Sequence, residues 1–163
     1  MNGISGKMVD SAKHRRSLNA DDDADLEGEP VVQVKIASRP GELRFVRSTV
    51  SEAAVVCGCS EECVQDIVIA VDEACQNVIK HAYRGDPNGE LVIDVRRDGD
   101  RIAINIVDFA PPVDKSTVRP RALDELRPGG LGTHFIAECM DDARFRSPPA
   151  GAGNRLWMIK RIK

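Results

Sequence analysis

Ser60-Glu-Glu-Cys-Val-Gln-Asp-Ile67-Val-Ile-Ala-Val71-Asp-Glu-Ala-Cys75-Gln-Asn-Val78-Ile-Lys-His-Ala82 is the most regular stretch of the 163-residue chain. Val64, Ile67, Val68, Val71, Ala74, Cys75, Val78 and Ala82 recur at helical spacing and so lie along one face of a helix. Ser60 is a suitable N-cap, and Glu61 and Glu62 place negative charge in the first turn, against the positive end of the helix dipole. The helix is expected to end near Arg84-Gly-Asp-Pro-Asn-Gly89, where Gly and Pro punctuate the chain.

Working outward, the period changes from helical to alternating. Leu91, Ile93 and Val95 alternate, Asp98-Gly99 turns the chain, and Ile102, Ile104 and Ile106 alternate again, which predicts a β-hairpin. Upstream, Val31-Val-Gln-Val-Lys-Ile36 reads as a half-buried strand. A helix from about Gly41 to Val56 follows, with Leu43, Val46, Val50 and Ala53/Ala54 on one face. Downstream, residues 108–130 have no clear period and hold Pro111, Pro112, Pro120 and Pro128. A loop of that length inside a compact domain is usually functional. Thr133 to Met140 reads as a short helix, Asp142 to Arg146 as a strand, and Asn154 to Ile162 as a last strand. The expected order is strand, two helices, two strands, long loop, helix, two strands, with no internal repeat.

Length and charge narrow the function. The chain is long enough for one core and short for two. Residues 1–30 hold four basic and seven acidic groups with scattered apolar positions, and are expected to form a disordered N-terminal tail outside a domain spanning 31–163. The remainder carries equal numbers of basic and acidic groups, which argues against direct nucleic-acid binding. No apolar run is long enough for a membrane span or a secretory signal, so a cytoplasmic protein without membrane contact is expected. The five cysteines are then expected as free thiols. Cys57, Cys59 and Cys63 could be read as a metal or redox cluster, although they form no CxxC pair and have no close His.

Glu73 and Asn77 are four apart and share a helix face opposite the apolar stripe. They can be a solvated pair, or a carboxylate beside a neutral oxygen ligand suited to magnesium and phosphate chemistry. Asp108 ends a strand and opens the long loop, as a turn residue or as part of a binding site. Pro128-Gly-Gly130-Leu-Gly132-Thr133 runs into a helix, where backbone amides can cradle an anion.

The ordered series Val71-Asp-Glu73-Ala-Cys-Gln-Asn77-Val-Ile-Lys-His81-Ala-Tyr83, Asp108-Phe-Ala-Pro-Pro-Val-Asp114 and Gly129-Gly-Leu-Gly132-Thr-His-Phe-Ile136 resembles the anti-sigma-factor serine kinases of the histidine-kinase-like (GHKL) ATPase superfamily. The likeness reaches the closing Gly153-Asn-Arg-Leu-Trp-Met-Ile-Lys160 and covers about residues 31–163. It implies an α+β fold: a two-layer sandwich with a mixed, mainly antiparallel sheet and helices on one face. It implies that Asn77 holds magnesium bridging the ATP phosphates, that Glu73 is general base toward a substrate serine, and that Asp108 accepts a hydrogen bond from the adenine amino group. Gly130, Gly132 and Thr133 would line the phosphates, and residues 109–128 would form the nucleotide lid.

The reaction implied is γ-phosphate transfer from ATP, with Mg2+, to a serine of a small STAS-type anti-anti-sigma protein. A sigma factor or similar output would be the client, and a homodimer is compatible with the likeness. One departure matters: Ala110, Pro111 and Pro112 stand where the superfamily usually has glycines, which stiffens the loop and removes amide donors. A nucleotide-binding regulatory module with little kinase activity is therefore the alternative. His81 and His134 are expected to be packing or capping residues.

Overall fold

In the computed structural model of the chain, the described residues are 28–112 and 131–162. Strand β1 (Glu29–Ala37) leads through a 3-10 turn (Pro40–Glu42) into helix α1 (Leu43–Val56), followed by helix α2 (Glu61–Asn77). A single π-helical turn, Val78–Ala82, extends α2. Strands β2 (Glu90–Asp98) and β3 (Arg101–Asp108) form the hairpin, and helix α3 (Leu131–Cys139), β4 (Asp142–Arg146) and β5 (Asn154–Arg161) complete the order. That is the order expected from the sequence. Most of the assigned tail, residues 1–27, lies outside the described residues, as do residues 113–130 of the long loop.

The five strands are arranged β1-β2-β3-β5-β4 and every described pairing is antiparallel. The sheet expected to be mixed therefore contains no parallel neighbours among the described residues. The physical reason is the return of β5. After β3 the chain crosses over through α3 to β4 at the edge, and β5 then folds back into the gap, so the parallel strands β3 and β4 never touch.

Helices α1 and α2 pack on one another and α3 packs on α2. Between this layer and the sheet lies the core, built from Val46, Val50, Ile67, Val71, Ile93 and Ile104, all with 1% exposure or less. Each such side chain stabilises the fold by about 1.5–3 kcal/mol relative to leaving it in water. The N-cap of α2 forms as expected: Ser60 Oγ accepts from the Cys63 amide at 3.2 Å.

Several boundaries moved. β1 begins at Glu29, ahead of Val31, and its register with β2 shifts between Pro30 and Val32, as suits an imino acid that cannot donate to a ladder. The hairpin turn is Gly99-Asp100, because Asp98 already pairs with Arg101. Helix α3 starts at Leu131, so Gly132 and Thr133 fall in its first turn rather than before it.

Candidate nucleotide site

At the end of β3 the Asp108 carboxylate is 3% exposed. Its Oδ1 accepts from Asn154 Nδ2 at 2.9 Å and from the Ala110 amide at 3.1 Å. Oδ2 makes no hydrogen bond to a described residue, so one oxygen of a fixed, buried carboxylate is left for a ligand. Burial pushes the Asp108 carboxyl above the ordinary range, and the Asn154 and Ala110 bonds pull it partly back.

The backbone around Asp108 is held just as tightly. Gly153 donates its amide to the Asp108 carbonyl at 2.8 Å. A Cβ added at Gly153 would stand 1.7 Å from the Ala110 carbonyl oxygen, so only glycine fits beside this bend. Asn154 also reaches the Pro111 carbonyl at 3.4 Å. Ala110 is buried. The segment that departs from the superfamily's glycines is thus pinned by the start of β5.

Tyr83 links this corner to the long helix. Its hydroxyl donates to the Glu90 carbonyl at 2.6 Å and accepts from the amides of Phe109 at 2.8 Å and Glu90 at 3.2 Å. The π turn makes that reach possible: the Tyr83 amide bonds Val78 five residues back, and the extra residue rotates the chain end relative to a continuous α-helix. Tyr83 was legible only as part of the motif, and its role was not assigned. Asn154 likewise carried no role in the sequence.

Glu73 and Asn77 sit in the last turns of α2, half-buried rather than on a fully solvated face. Neither makes a side-chain hydrogen bond or ion pair with a described residue. Their neighbours on the helix do: Asp72 pairs with Arg47 of α1 at 2.7 Å and accepts from Gln76 at 2.7 Å, and Lys80 donates to Gln76 at 3.1 Å. That ladder is tied to α1 through Asp72 and does not include Glu73 or Asn77. Gly132 and Thr133 contribute backbone amides to the first turn of α3, where helix N–H groups have no helical acceptor. Gly130 lies outside the described residues.

Neither His81 nor His134 is packed. His81 is exposed, and exposed His134 pairs with Glu138 one turn along α3 at 2.9 Å. Among the described residues no group of three His, Cys, Asp or Glu side chains converges to hold a metal ion, the Cys57–Cys63 region included. Cys63 and Cys59 instead form a thiol pair, with sulfurs 3.1 Å apart.

The sequence profile of the histidine kinase-like ATPase domain matches residues 36–160. The serine-protein kinase RsbW of Bacillus subtilis is 30% identical over 124 residues, covering 71% of this chain and 78% of that protein. The protein of the same name from Bacillus licheniformis is 31% identical over 121 residues, covering 69% and 76%. Among solved structures, the RsbU and RsbW domains of a Mycobacterium tuberculosis protein superpose with a TM-score of 0.58 at 18% identity, over 80% of this chain and 32% of that one, a likeness of fold. No helix among the described residues is long and apolar enough to cross a membrane.

Proposed function

The chain belongs to the histidine kinase-like ATPase domain family, and on that premise we propose that it is an ATP-dependent protein-serine kinase whose substrate is a small STAS-type regulatory protein and whose output is a sigma factor or similar client. One observation carries the reading: a buried carboxylate, Asp108, is fixed through one oxygen and makes no hydrogen bond to a described residue through the other, and Glu73 and Asn77 of α2 have no side-chain partners among the described residues. A buried acceptor of this kind selects a ligand N–H donor, because leaving it unpaired costs about 1–3 kcal/mol. The exocyclic amino group of adenine supplies that donor.

Each residue has a distinct task in this reading. Asp108 orients the base, Asn77 presents a neutral oxygen to the cation on the phosphates, and the first-turn amides of α3 at Gly132 and Thr133 face the anion, with Gly130 beside them. Glu73, one turn before Asn77, accepts the proton of the attacking serine hydroxyl. Magnesium, when bound, neutralises charge on the transferring phosphate. The remaining work is positioning, which the fixed corner of Tyr83, Asp108 and Asn154 supports.

A second reading has its own observation. Pro111 is tied to Asn154 and Ala110 is packed against Gly153, so this part of the loop cannot flex as a glycine run would. A module that holds nucleotide and partner with little turnover would suit that stiffness.

Magnesium-ATP or ADP should raise the melting temperature, since a ligand held only by the folded state stabilises by about 2.7 kcal/mol at a hundredfold excess over its dissociation constant. Asp108→Ala should abolish most of the shift. Absence of any shift in the wild type at saturating nucleotide would defeat the proposal.

A further inference from the structure

The joint between α1 and α2 holds two sulfurs in contact. Cys63 Sγ lies 3.1 Å from Cys59 Sγ and 3.4 Å from the Arg161 carbonyl oxygen at the end of β5. A disulfide bond is about 2.05 Å long, so the pair stands roughly 1 Å beyond bonding distance. Of the five cysteines, Cys57, Cys63, Cys75 and Cys139 are buried and Cys59 alone is partly exposed. A solute therefore meets this pair at Cys59.

Two helix ends fix the approach. At the close of α1 the Gly58 amide donates to the Val55 carbonyl at 2.9 Å and the Cys59 amide to the Ala54 carbonyl at 3.1 Å, with Gly58 at φ +90°. That is the Schellman arrangement, in which a left-handed glycine ends the helix and the next residue bonds back into it. Cys59 is that next residue. On the other side Ser60 is extended, with ψ 162°, and its side chain accepts from the Cys63 amide, which puts Cys63 in the first turn of α2. The end of α1 sets one sulfur and the N-cap of α2 sets the other.

The surroundings decide how such a pair reacts. Burial and the Cys63 contact push the Cys59 thiol up to about 12, so it attacks slowly near neutrality. Stabilisation of the reduced form as thiolate is what makes some disulfides strong oxidants, and a pair kept protonated lacks it. A bond between these sulfurs therefore closes slowly and, once closed, resists small thiols.

We infer that Cys59 and Cys63 are a modification site, a dithiol that a small-molecule disulfide, RSSR, oxidises to an intramolecular disulfide stapling the α1–α2 joint. Cys59 loses its proton and attacks one sulfur of RSSR. A mixed disulfide forms between Cys59 and RS, and RS⁻ leaves with the electron pair of the broken bond. Cys63, already beside it, then loses its proton and attacks the Cys59 sulfur, and the second RS⁻ leaves. Both thiolates take up the released protons, so the two electrons lost by the cysteine pair reduce one RSSR to two RSH. The Cys63 S–H directed at Cys59 and the Arg161 carbonyl is lost in the process. The inference does not rest on the nucleotide reading, since Glu73 and Asn77 lie ten and fourteen residues beyond Cys63, about 15–21 Å along α2.

The test uses the full chain, reduced, held to equilibrium with excess oxidised glutathione, then thiol-blocked, denatured and cleaved after glutamate. Cuts after Glu52, Glu61, Glu62 and Glu73 separate a fragment carrying Cys57 and Cys59 from one whose only cysteine is Cys63. The two fragments should stay joined until reductant is added, and the intact protein should be lighter by two hydrogens with no glutathione attached. The link should survive Cys57→Ala and vanish in Cys59→Ala. Closing this five-residue loop should raise the melting temperature of wild type by about 4–8 °C, reversibly with reductant, and leave Cys59→Ala unmoved. The rate of closure should climb about tenfold per pH unit from about pH 7 to 9, as the thiolate fraction does. Wild-type fragments that separate without reductant, glutathione retained on Cys59 at equilibrium, a link that persists in Cys59→Ala, or full oxidation that leaves the melting temperature unchanged would each overturn the inference. The wild-type fragment map decides the matter by itself should a variant fail to fold.

Discussion

Asp108, the proposed adenine acceptor, illustrates how a buried carboxylate can be costly to the fold. Its carboxyl is raised by burial, so the folded state binds this proton more tightly than the unfolded state does. The associated stability is fully present below the unfolded value and is lost as pH rises through the raised folded value. Asn at this position keeps an acceptor for Ala110 and Asn154 without carrying charge. Asp108→Asn should therefore gain stability relative to wild type as pH rises from about 4 toward neutrality, while nucleotide affinity falls by about 10–100-fold, the equivalent of roughly 1.5–3 kcal/mol for one charge-assisted hydrogen bond. Paired melts across that pH range and a nucleotide titration check both halves. A stability difference that shrinks with rising pH would contradict the first. Cys59 gives a second test at this scale. Burial and the Cys63 contact push its thiol up to about 12, so at pH 8 only about one molecule in 10⁴ carries the thiolate, and alkylation by iodoacetamide should be slow. Rapid labelling of Cys59 in the native protein would count against the part-buried thiol pair.

At the level of elements, the parts with a strong period were readable and the parts defined by a break in period were not. The helix from Ser60 and the hairpin through Gly99 follow from the spacing of Val71, Ile104 and their neighbours, because burial on one face demands that spacing. The π turn at Val78–Ala82 has no periodic signature, since one added residue looks the same as a continuing helix. Asp108, Glu73 and Asn77 were proposed from motif order. Tyr83 and Asn154 were not assigned, because their roles depend on contacts 26 and 46 residues away. Tyr83→Phe deletes the hydroxyl while keeping the ring, leaving the Phe109 and Glu90 amides and the Glu90 carbonyl without this partner. A loss of about 1–3 kcal/mol is expected, or roughly 3–10 °C in melting temperature at this chain length, with weaker nucleotide binding. A Tyr83→Phe protein that melts with wild type would show that the joint between helix and β3 is held by something else.

For the molecule as a whole, the alternation of Leu91, Ile93 and Val95 marks one apolar face of β2, yet six consecutive residues from Leu91 to Arg96 are buried, Asp94 and Arg96 among them. Sequence period sees hydrophobicity and is blind to charge burial. Asp108 and Asn154 meet where β3 ends and β5 begins, and the Tyr83 hydroxyl ties the chain just beyond α2 to the Phe109 amide next to Asp108; the proposed site is this end of the sheet. The central claim is that this end transfers phosphate and does not merely hold nucleotide. Glu73 separates the two, since a general base contacts the serine hydroxyl and contributes about 10²–10⁴-fold to the rate without contributing to ATP affinity. The measurement is incorporation of label from γ-labelled ATP into the serine of a STAS-type partner, by wild type and Glu73→Gln, beside nucleotide affinity for both. The account predicts that wild type labels the partner and that Glu73→Gln binds ATP equally well but labels it about 10²–10⁴-fold more slowly. Wild type that binds ATP and partner yet transfers no label would contradict it.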